Sequence, residues 1–276
     1  MAVFPAVGSP IRAMIDQSMD MSTDADWEEW GRRDPYFGVI TDPRFRRSVL
    51  TEDSRKSFFL DGESHVKWTM AVIHRYIDPG FAPKTVLDFG CGVGRMLVPL
   101  AAIADDVVGL DVAPSMLLEA QRNCDERQIH NVRLLPADDG LSALSGTFDL
   151  IHSFIVFQHI PAQRGKAIFE RLLRHLRPGG VGAIHLTYAK ARFAATHGRA
   201  PLAPPAAPAP LTRTTAAQAT LADPDPPMQM NPYDISEILF LMQVRGIERL
   251  HIQFTDHGGE LGVYLFFATA GSVDTA

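Results

Sequence analysis

The sequence predicts an α/β fold in which helices cover both faces of a doubly wound, mostly parallel sheet. Three observations lead to this prediction. Short apolar runs of strand length alternate with segments of helical periodicity. A glycine-rich turn joins the first of these runs to the segment that follows it. The connections between successive segments are short, which is typical of βαβ units.

Seven apolar runs are predicted to be strands, five in alternation with helices and two as a final pair. The predicted strands lie at 85–89, 107–110, 132–135, 148–154, 181–187, 247–254 and 263–269. Helices are predicted at 94–104, 114–127 and 234–244, and from Pro161 to a stop at the Pro-Gly-Gly run 178–180.

The segment before the first strand is helical and rich in aromatic residues. Asp61 is the expected N-cap of a helix that runs to Ile77, because the apolar positions after it recur at helical spacing. Two interpretations of the aromatic residues stay open. They pin the segment onto the domain, or the pairs Tyr36-Phe37 and Phe58-Phe59 cover a ligand.

The composition divides the chain into four parts. These are a flexible extension (1–23), an N-terminal helical segment (24–80), a core (81–270) and a short tail (271–276). Within the core, residues 188–231 are rich in proline and alanine and poor in large apolar side chains. Such a stretch forms no packed element, so it is predicted to be an insertion after the fifth strand.

Charge and composition favour a small-molecule partner. The formal net charge of -6 argues against a nucleic-acid substrate. No apolar run reaches the roughly 18 residues of a membrane span. The two cysteines give neither a disulfide framework nor a zinc site, and they fit a reducing cytoplasm. We therefore expect a cytoplasmic protein without a metal. The sequence leaves the oligomeric state open, with a monomer or a homodimer as the candidates.

The glycine-rich turn is the first motif that carries chemistry. Val86-Leu-Asp-Phe-Gly-Cys-Gly-Val-Gly94 places glycines at alternate positions, where backbone without Cβ atoms lets a nucleotide approach closely. In the dinucleotide-binding spacing Gly-x-Gly-x-x-Gly, the third glycine would fall at Arg95 instead.

An acidic residue at the end of the second strand is the next motif. Asp111 can accept hydrogen bonds from both ribose hydroxyls of an adenosine. Enzymes that use NAD share such an acid, so Asp111 alone does not identify the ligand. Two further motifs follow the third and fourth strands, Ala137-Asp-Asp139 and Phe148-Asp-Leu-Ile-His-Ser-Phe154.

With these four motifs in order, the chain resembles the class I S-adenosylmethionine-dependent methyltransferases. The resemblance is strong over residues 85–187 and rests on layout alone over 233–269. It implies a seven-stranded sheet whose last strand is antiparallel, and it implies that the N-terminal helical segment forms a lid over S-adenosyl-L-methionine. The residues implied to bind this cofactor are Asp88, Gly90, Cys91, Gly92, Gly94, Asp111, Val112, Met116, Asp138, Asp139, Ser153 and Phe154.

The implied reaction is methyl transfer to a hydroxyl or amine of a small organic acceptor, a saccharide or a secondary metabolite. His159 lies past the fourth strand, where the acceptor would approach, and is the candidate catalytic residue. Two alternatives stay open at this point. One is a regulatory module that binds the cofactor without turnover, and the other is an NAD(P)-dependent oxidoreductase.

Overall fold

A computed structural model describes residues 23–191 and 224–271. The predicted N-terminal extension apart from Thr23, most of the predicted insertion, and the tail beyond residue 271 lie outside the described residues.

The described chain forms a seven-stranded sheet with the order β3-β2-β1-β4-β5-β7-β6. Strands β1 to β5 pair with one another in parallel, and β7 is antiparallel to both β5 and β6. The strands are β1 (Thr85–Phe89), β2 (Asp106–Asp111), β3 (Val132–Pro136), β4 (Phe148–Ser153), β5 (Leu176–Lys190), β6 (Ile247–His257) and β7 (Glu260–Thr269). The predicted fold class is confirmed.

Helices cover both faces of the sheet. They are α1 (Asp24–Arg33), α2 (Pro35–Val39), α3 (Glu52–Tyr76), α4 (Leu97–Ala101), α5 (Pro114–Glu126), α6 (Ala162–Arg174) and α7 (Ile235–Val244). On one face, α6 and α7 pack against residues such as Ile151 and Leu265. On the other, α3 packs against Leu150 and Phe266. Both faces of the central strands are therefore buried, which explains why they are almost continuously apolar.

The predicted start of α3 at Asp61 is wrong, because the N-cap of this helix is Thr51, about three turns earlier. The Thr51 side chain accepts a hydrogen bond from the Ser54 N–H (3.2 Å), and the Ser54 hydroxyl oxygen accepts one from the Thr51 N–H (2.9 Å). This reciprocal pair is a capping box, which satisfies two backbone donors at the helix start. Asp61 lies inside α3, where its carboxylate pairs with Arg95 (2.6 Å).

Two boundaries in the core also differ from the predictions. The run 176–180, predicted as a helix stop, forms the start of β5, with an irregular register against β4. A Cβ at Gly180 would lie 3.0 Å from the Phe148 carbonyl oxygen, so this glycine allows the two strands to approach. At its other end β5 continues through Lys190, which shortens the predicted insertion.

Residues 224–233 return across the N-terminal segment, and we call them the strap. Arg46 forms an ion pair with Asp225. The Trp30 indole N–H donates to the Pro227 carbonyl (3.4 Å). Further along, the Asn231 N–H donates to the Gln158 carbonyl (2.6 Å). The strap therefore ties the N-terminal segment to the loop after β4.

Candidate active site

A cavity opens at the carboxyl edge of the sheet, between the loops that follow β1 to β4 and the N-terminal segment. In open α/β sheets this edge is where ligands bind. The cavity is lined by Thr23, Asp24, Trp27, Gly38, Val39, Phe89, Gly90, Gly92, Arg95, Asp111, Val112, Met116, Ala137, Asp138, Asp139, Phe154, Ile155, Val156, His159, Ile160, Arg164 and Ile168.

The glycine turn forms the floor of the cavity at the end of β1. Gly90 and Gly92 have φ values of +73° and +52°, a region that side chains rarely adopt. A Cβ at Gly90 would overlap Val156, and one at Gly92 would lie 2.7 Å from Val39 Cγ2. These two positions therefore require glycine for conformation and for space.

Asp111 lies beside this turn at the end of β2. One carboxylate oxygen accepts from the Gly92 N–H (2.8 Å), and the other accepts from the Ala113 N–H (2.9 Å). Burial raises the pKa of Asp111 to about 6, against the opposing effect of the two backbone donors. The two backbone bonds orient the carboxylate, and because each carboxylate oxygen has two lone pairs, this cavity-lining side chain can accept further hydrogen bonds.

The two acids after β3 line the cavity but already have partners. The Asp138 carboxylate accepts from the N–H (2.9 Å) and the hydroxyl of Ser142, and these bonds hold its pKa below the ordinary value. Asp139 pairs with Arg164 (2.6 Å), which also pairs with Asp24 at the start of α1 (2.6 Å). Arg164 thus links the N-terminal segment to the β3 loop.

Polar atoms without partners lie behind the glycine turn. Asp88 Oδ1 is 2.7 Å from His152 Nδ1, but Asp88 Oδ2 has no hydrogen-bond partner among the described residues. Arg95 Nε is also buried and without a partner there, although Nη1 of the same residue bonds to Asp61. Because buried polar groups are normally satisfied, these atoms indicate a place for a polar ligand.

Four of the predicted cofactor residues do not line the cavity: Asp88, Cys91, Gly94 and Ser153. Cys91 packs in the core below α3, where burial raises the pKa of its thiol. The Ser153 hydroxyl donates to the Phe89 carbonyl (2.9 Å), so its side chain serves the pairing of β4 with β1. The aromatic pairs Tyr36-Phe37 and Phe58-Phe59 are also absent from the lining, and they pack in the core of the N-terminal segment.

His159, the predicted catalytic residue, stands in the cavity wall. Its Nδ1 is 2.8 Å from the Gln229 carbonyl oxygen on the strap, and its Nε2 is 3.2 Å from the Gln158 amide nitrogen. Its ring lies 4.8 Å from that of Trp27. Burial lowers the pKa of His159 to about 4, so the ring is neutral at physiological pH. The contacts with Gln229 and Gln158 give both ring nitrogens a partner within the protein.

Several lining residues were missed from the sequence. Trp27 and Val39 come from the N-terminal segment, and Ile155, with φ of +60°, comes from the tight turn after β4. Arg95 was noted only as the place of a displaced glycine, yet it is a buried guanidinium that lines the cavity. A charged residue directly after the glycine turn was the signal that could have drawn attention to it.

Residues 86–180 match the family model described as a methyltransferase domain. The matched region contains the glycine turn, Asp111, the β3 loop and β4, which form most of the cavity. This region is a class I methyltransferase domain. The family predicted from the sequence is confirmed, and the match favours it over the NAD(P)-dependent alternative.

Curated relatives match this domain over part of their length. Trans-aconitate 2-methyltransferase of Deinococcus radiodurans is 37% identical over 103 residues, which are 37% of this chain and 37% of that protein. Magnesium-protoporphyrin O-methyltransferase of Synechocystis is 29% identical over 144 residues, which are 50% of this chain and 60% of that protein. The chain thus spans less than two thirds of either relative.

Solved structures share the fold of the methyltransferase domain. Magnesium protoporphyrin IX methyltransferase from Synechocystis, with bound SAH, aligns with a TM-score of 0.56 at 17% identity, over 94% of this chain and 100% of that one. An N-methyltransferase from Bradyrhizobium japonicum, in complex with S-adenosyl-L-homocysteine, aligns with a TM-score of 0.52 at 13% identity, over 88% of this chain and 98% of that one.

Residues 23–191 and 224–271 lack two kinds of feature. No helix in these ranges has the length and apolar character needed to cross a bilayer. Within the same ranges, no three histidine, cysteine or acidic side chains are arranged to hold a metal ion.

Proposed function

We propose that the methyltransferase domain binds S-adenosyl-L-methionine in the cavity and transfers its methyl group to a hydroxyl or amine of a small organic acceptor. The acceptor class that we infer is a saccharide or a secondary metabolite. One observation carries the proposal. The Gly90–Gly92 turn, the oriented Asp111 carboxylate and Phe154 line one cavity at three neighbouring strand ends.

The residues of the cavity fit this donor. Asp111 would accept hydrogen bonds from the ribose hydroxyls, and the absence of Cβ atoms at Gly90 and Gly92 leaves room beside it. Arg95 lines the cavity, and its Nε, which lacks a partner among the described residues, suits the carboxylate of the methionine portion. Asp138 and Asp139 would border the adenine, and their existing bonds to Ser142 and Arg164 fix their loop.

The domain's part in the reaction is to position the reactants and to exclude water. The bound sulfonium supplies an activated methyl group, so the protein must hold a nucleophile in line with it, an effect worth about 7–11 kcal/mol. Trp27 and Val39 close the cavity from the side of the lid. His159 is uncharged and its Nδ1 is tied to the strap, so it would orient an acceptor hydroxyl at the cavity wall only by exchanging the contact of its Nε2 with the Gln158 amide for that hydroxyl.

The names of the relatives support a small acceptor. The curated matches include methyltransferases named for trans-aconitate, for magnesium-protoporphyrin and for ubiquinone biosynthesis. All of these names refer to small organic compounds. The net charge of -6 also disfavours a polyanionic acceptor.

The test is donor binding followed by turnover. Isothermal calorimetry with S-adenosylhomocysteine should show one site, and labelled methyl groups should pass from the donor to the small-molecule fraction of a host extract. A chain that binds nicotinamide dinucleotide but not S-adenosylhomocysteine would contradict the proposal. Binding without transfer would instead favour the regulatory alternative.

The role of His159 is tested separately. His159→Ala should reduce turnover while the affinity for S-adenosylhomocysteine stays within a few fold. His159→Gln, which keeps a polar side chain next to Gln229, should recover part of the rate. Full turnover of His159→Ala at neutral pH would remove this residue from the mechanism.

A further inference from the structure

The outer edge of β6 is an open strand edge. β6 (Ile247–His257) ends the sheet and pairs with β7 on one side. Along its other side, the backbone N–H and C=O groups have no strand partner within residues 23–191 and 224–271. At eleven residues the strand is about twice the usual length. A long open edge of this kind can accept a further strand.

This edge lacks the features that usually keep edge strands apart. Those features are prolines, charged side chains and bulges within the strand. Proline is absent from β6, and no lysine, arginine, aspartate or glutamate lies between Arg249 and Asp256. The irregular pairing with β7 is confined to the start of the strand, between Ile247 and Arg249. The stretch 250–255 is therefore open to pairing.

One face of β6 carries a row of apolar side chains. Leu250, Ile252 and Phe254 lie on the same face, because side chains alternate along a strand. Their partners on β7 belong to the core that α6 and α7 cover: Phe267, Leu265 and Val263. Ile252 packs partly against that core, but Leu250 is 41% exposed and Phe254 is 75% exposed. Two large apolar side chains thus protrude at the open edge.

The other face of β6 is held by the end of α3. The ring of His251 stacks on that of Tyr76, with centroids 3.9 Å apart and nearly parallel planes. Arg249 donates from Nη1 to the carbonyl of Ile77, the residue after α3 (2.8 Å). The side chains on this face therefore have partners within the chain, whereas those of the apolar row are only partly covered.

A second copy of the chain matches this edge in one register. Two copies of β6 related by a two-fold axis perpendicular to the sheet pair in antiparallel fashion, with opposite side chains on the same face. With the axis at Ile252, this residue faces its own copy, and Leu250 faces Phe254 twice. None of the other pairs opposes like charges: Arg249 with Thr255, and His251 with Gln253.

Neighbouring registers fit less well. An axis one residue nearer the start of β6 would place Phe254 opposite Glu248, in the irregular part of the strand. An axis one residue nearer its end would place Leu250 opposite Asp256 and bury a carboxylate against an apolar side chain. Because such matches fix the register of a strand, the sequence of β6 specifies a single pairing with itself.

The size of the paired region sets the strength of the contact. Pairing over residues 249–255 would form about six to eight backbone hydrogen bonds and cover the exposed parts of Leu250 and Phe254. This involves fewer residues than the roughly 20–30 on each side of a standard interface. We therefore expect a dimer that forms at micromolar concentrations and dissociates on dilution.

We propose that the open edge of β6 is a homodimer interface, in which two copies of the chain pair over residues 249–255 about an axis at Ile252. The partner is a second copy because the edge is complementary to itself in that register. The interface would join the two sheets into one continuous sheet. It leaves the donor cavity open, since that cavity lies at the ends of β1 to β4. This inference does not depend on the proposed function.

Sedimentation equilibrium of the full chain tests the interface. The wild type should form a reversible dimer, with twice the chain mass of 30.4 kDa, at concentrations up to about 100 μM. Phe254→Glu should weaken dimerisation by at least about tenfold, because its carboxylate would face Leu250 of the second copy. The double variant Leu250→Lys/Phe254→Glu should restore the dimer, because the register places each lysine opposite a glutamate. Phe240→Glu is the control, since Phe240 is 65% exposed but lies on α7. Circular dichroism checks that each variant is folded.

A second measurement locates the axis. Ile252→Cys should cross-link to its own copy with a short bis-maleimide, because opposite Cβ atoms of an antiparallel pair are about 4.5–5.5 Å apart. The native cysteines are buried, and Phe240→Cys should give no cross-link. A monomeric wild type, a dimer that persists in Phe254→Glu, a double variant that stays monomeric, or no cross-link in Ile252→Cys would each overturn the proposal. So would a wild-type monomer that dimerises only after deletion of residues 192–223, because that result would assign the edge to the deleted segment.

Discussion

Replacement of Asp111 by asparagine separates the stability of the domain from its ability to bind the donor. Both carboxylate oxygens accept backbone hydrogen bonds, from the N–H groups of Gly92 (2.8 Å) and Ala113 (2.9 Å). Burial nevertheless raises the pKa of this carboxyl from its ordinary 3.8 to about 6. Keeping Asp111 ionised therefore lowers the stability of the folded protein, but it leaves a carboxylate at the cavity that can accept hydrogen bonds from the ribose of the bound methyl donor.

The magnitudes follow from these contacts. A rise from 3.8 to about 6 means that the charge costs the folded state about 3 kcal/mol at neutral pH. Asparagine removes that cost. Its NH2 group, however, faces one of the two backbone N–H groups, and a backbone N–H left without a hydrogen-bond acceptor costs about 1–3 kcal/mol. Without bound S-adenosylhomocysteine, the free energy of unfolding of Asp111→Asn should thus equal that of the wild type or exceed it by up to about 2 kcal/mol.

Donor binding should change in the opposite direction. Two charge-assisted hydrogen bonds to the ribose contribute about 1.5–3 kcal/mol each, so S-adenosylhomocysteine should bind about 10²–10⁴-fold more weakly to Asp111→Asn. Calorimetry and thermal unfolding with and without ligand measure both effects. Asp106→Asn is the matched control, at the other end of β2, where Asp106 pairs with Arg133 (2.8 Å). Unaltered affinity, or a loss of several kcal/mol of stability without ligand, would refute the reasoning.

The pH dependence has a definite sign. The folded protein binds this proton more tightly than the unfolded chain, so the contribution of Asp111 to stability falls as pH rises from about 4 to about 6. Ligand affinity should follow the opposite course, because the ribose needs the carboxylate. It should decrease by about tenfold per pH unit below about 6. Neither dependence should persist in Asp111→Asn.

Three further substitutions probe the parts that surround the cavity. Gly90→Ala should abolish donor binding by calorimetry, because its Cβ would overlap Val156 at a positive φ; tight binding would contradict the assigned floor. Tyr233→Phe should lower the free energy of unfolding by about 1–3 kcal/mol in urea, because the Tyr233 hydroxyl lies 2.9 Å from the carbonyl oxygens of Phe157 and Ile160, in a buried and a partly buried contact; no loss would mean that water replaces the hydroxyl. Arg46→Met should speed proteolysis of the strap by removing its ion pair with Asp225, and an unchanged rate would show that Trp30 and Asn231 suffice.

The part of the site that would hold the methyl donor could be predicted from the sequence, because its residues lie close to one another along the chain. Gly90, Gly92 and Asp111 follow directly from two strands and their turns, and the structure brings them together as predicted. The alternation of strands and helices likewise predicts the sheet. These features depend on short-range geometry, which a sequence pattern carries.

The remaining features depend on tertiary packing. Asp61 has the chemistry of a helix cap, but the reciprocal bonds of Thr51 and Ser54 extend the helix past it. The Pro-Gly-Gly run before β5 is typical of a helix stop, yet pairing with β4 makes it a strand. His65, His185 and His257 surround Phe154 only because α3, β5 and β6 pack together.

The position of β7 has a consequence for the order in which the site is assembled. Among the described residues β7 is the last strand along the chain, yet it lies between β5 and β6. During synthesis, the residues that would hold the donor are complete once β4 and its loop have emerged. His65, His185 and His257 come together only after β7 has been made, because β7 lies between the strands β5 and β6 that carry two of them. The family match ends at residue 180, so the β6–β7 hairpin lies outside the matched region and is made after the glycine turn and Asp111.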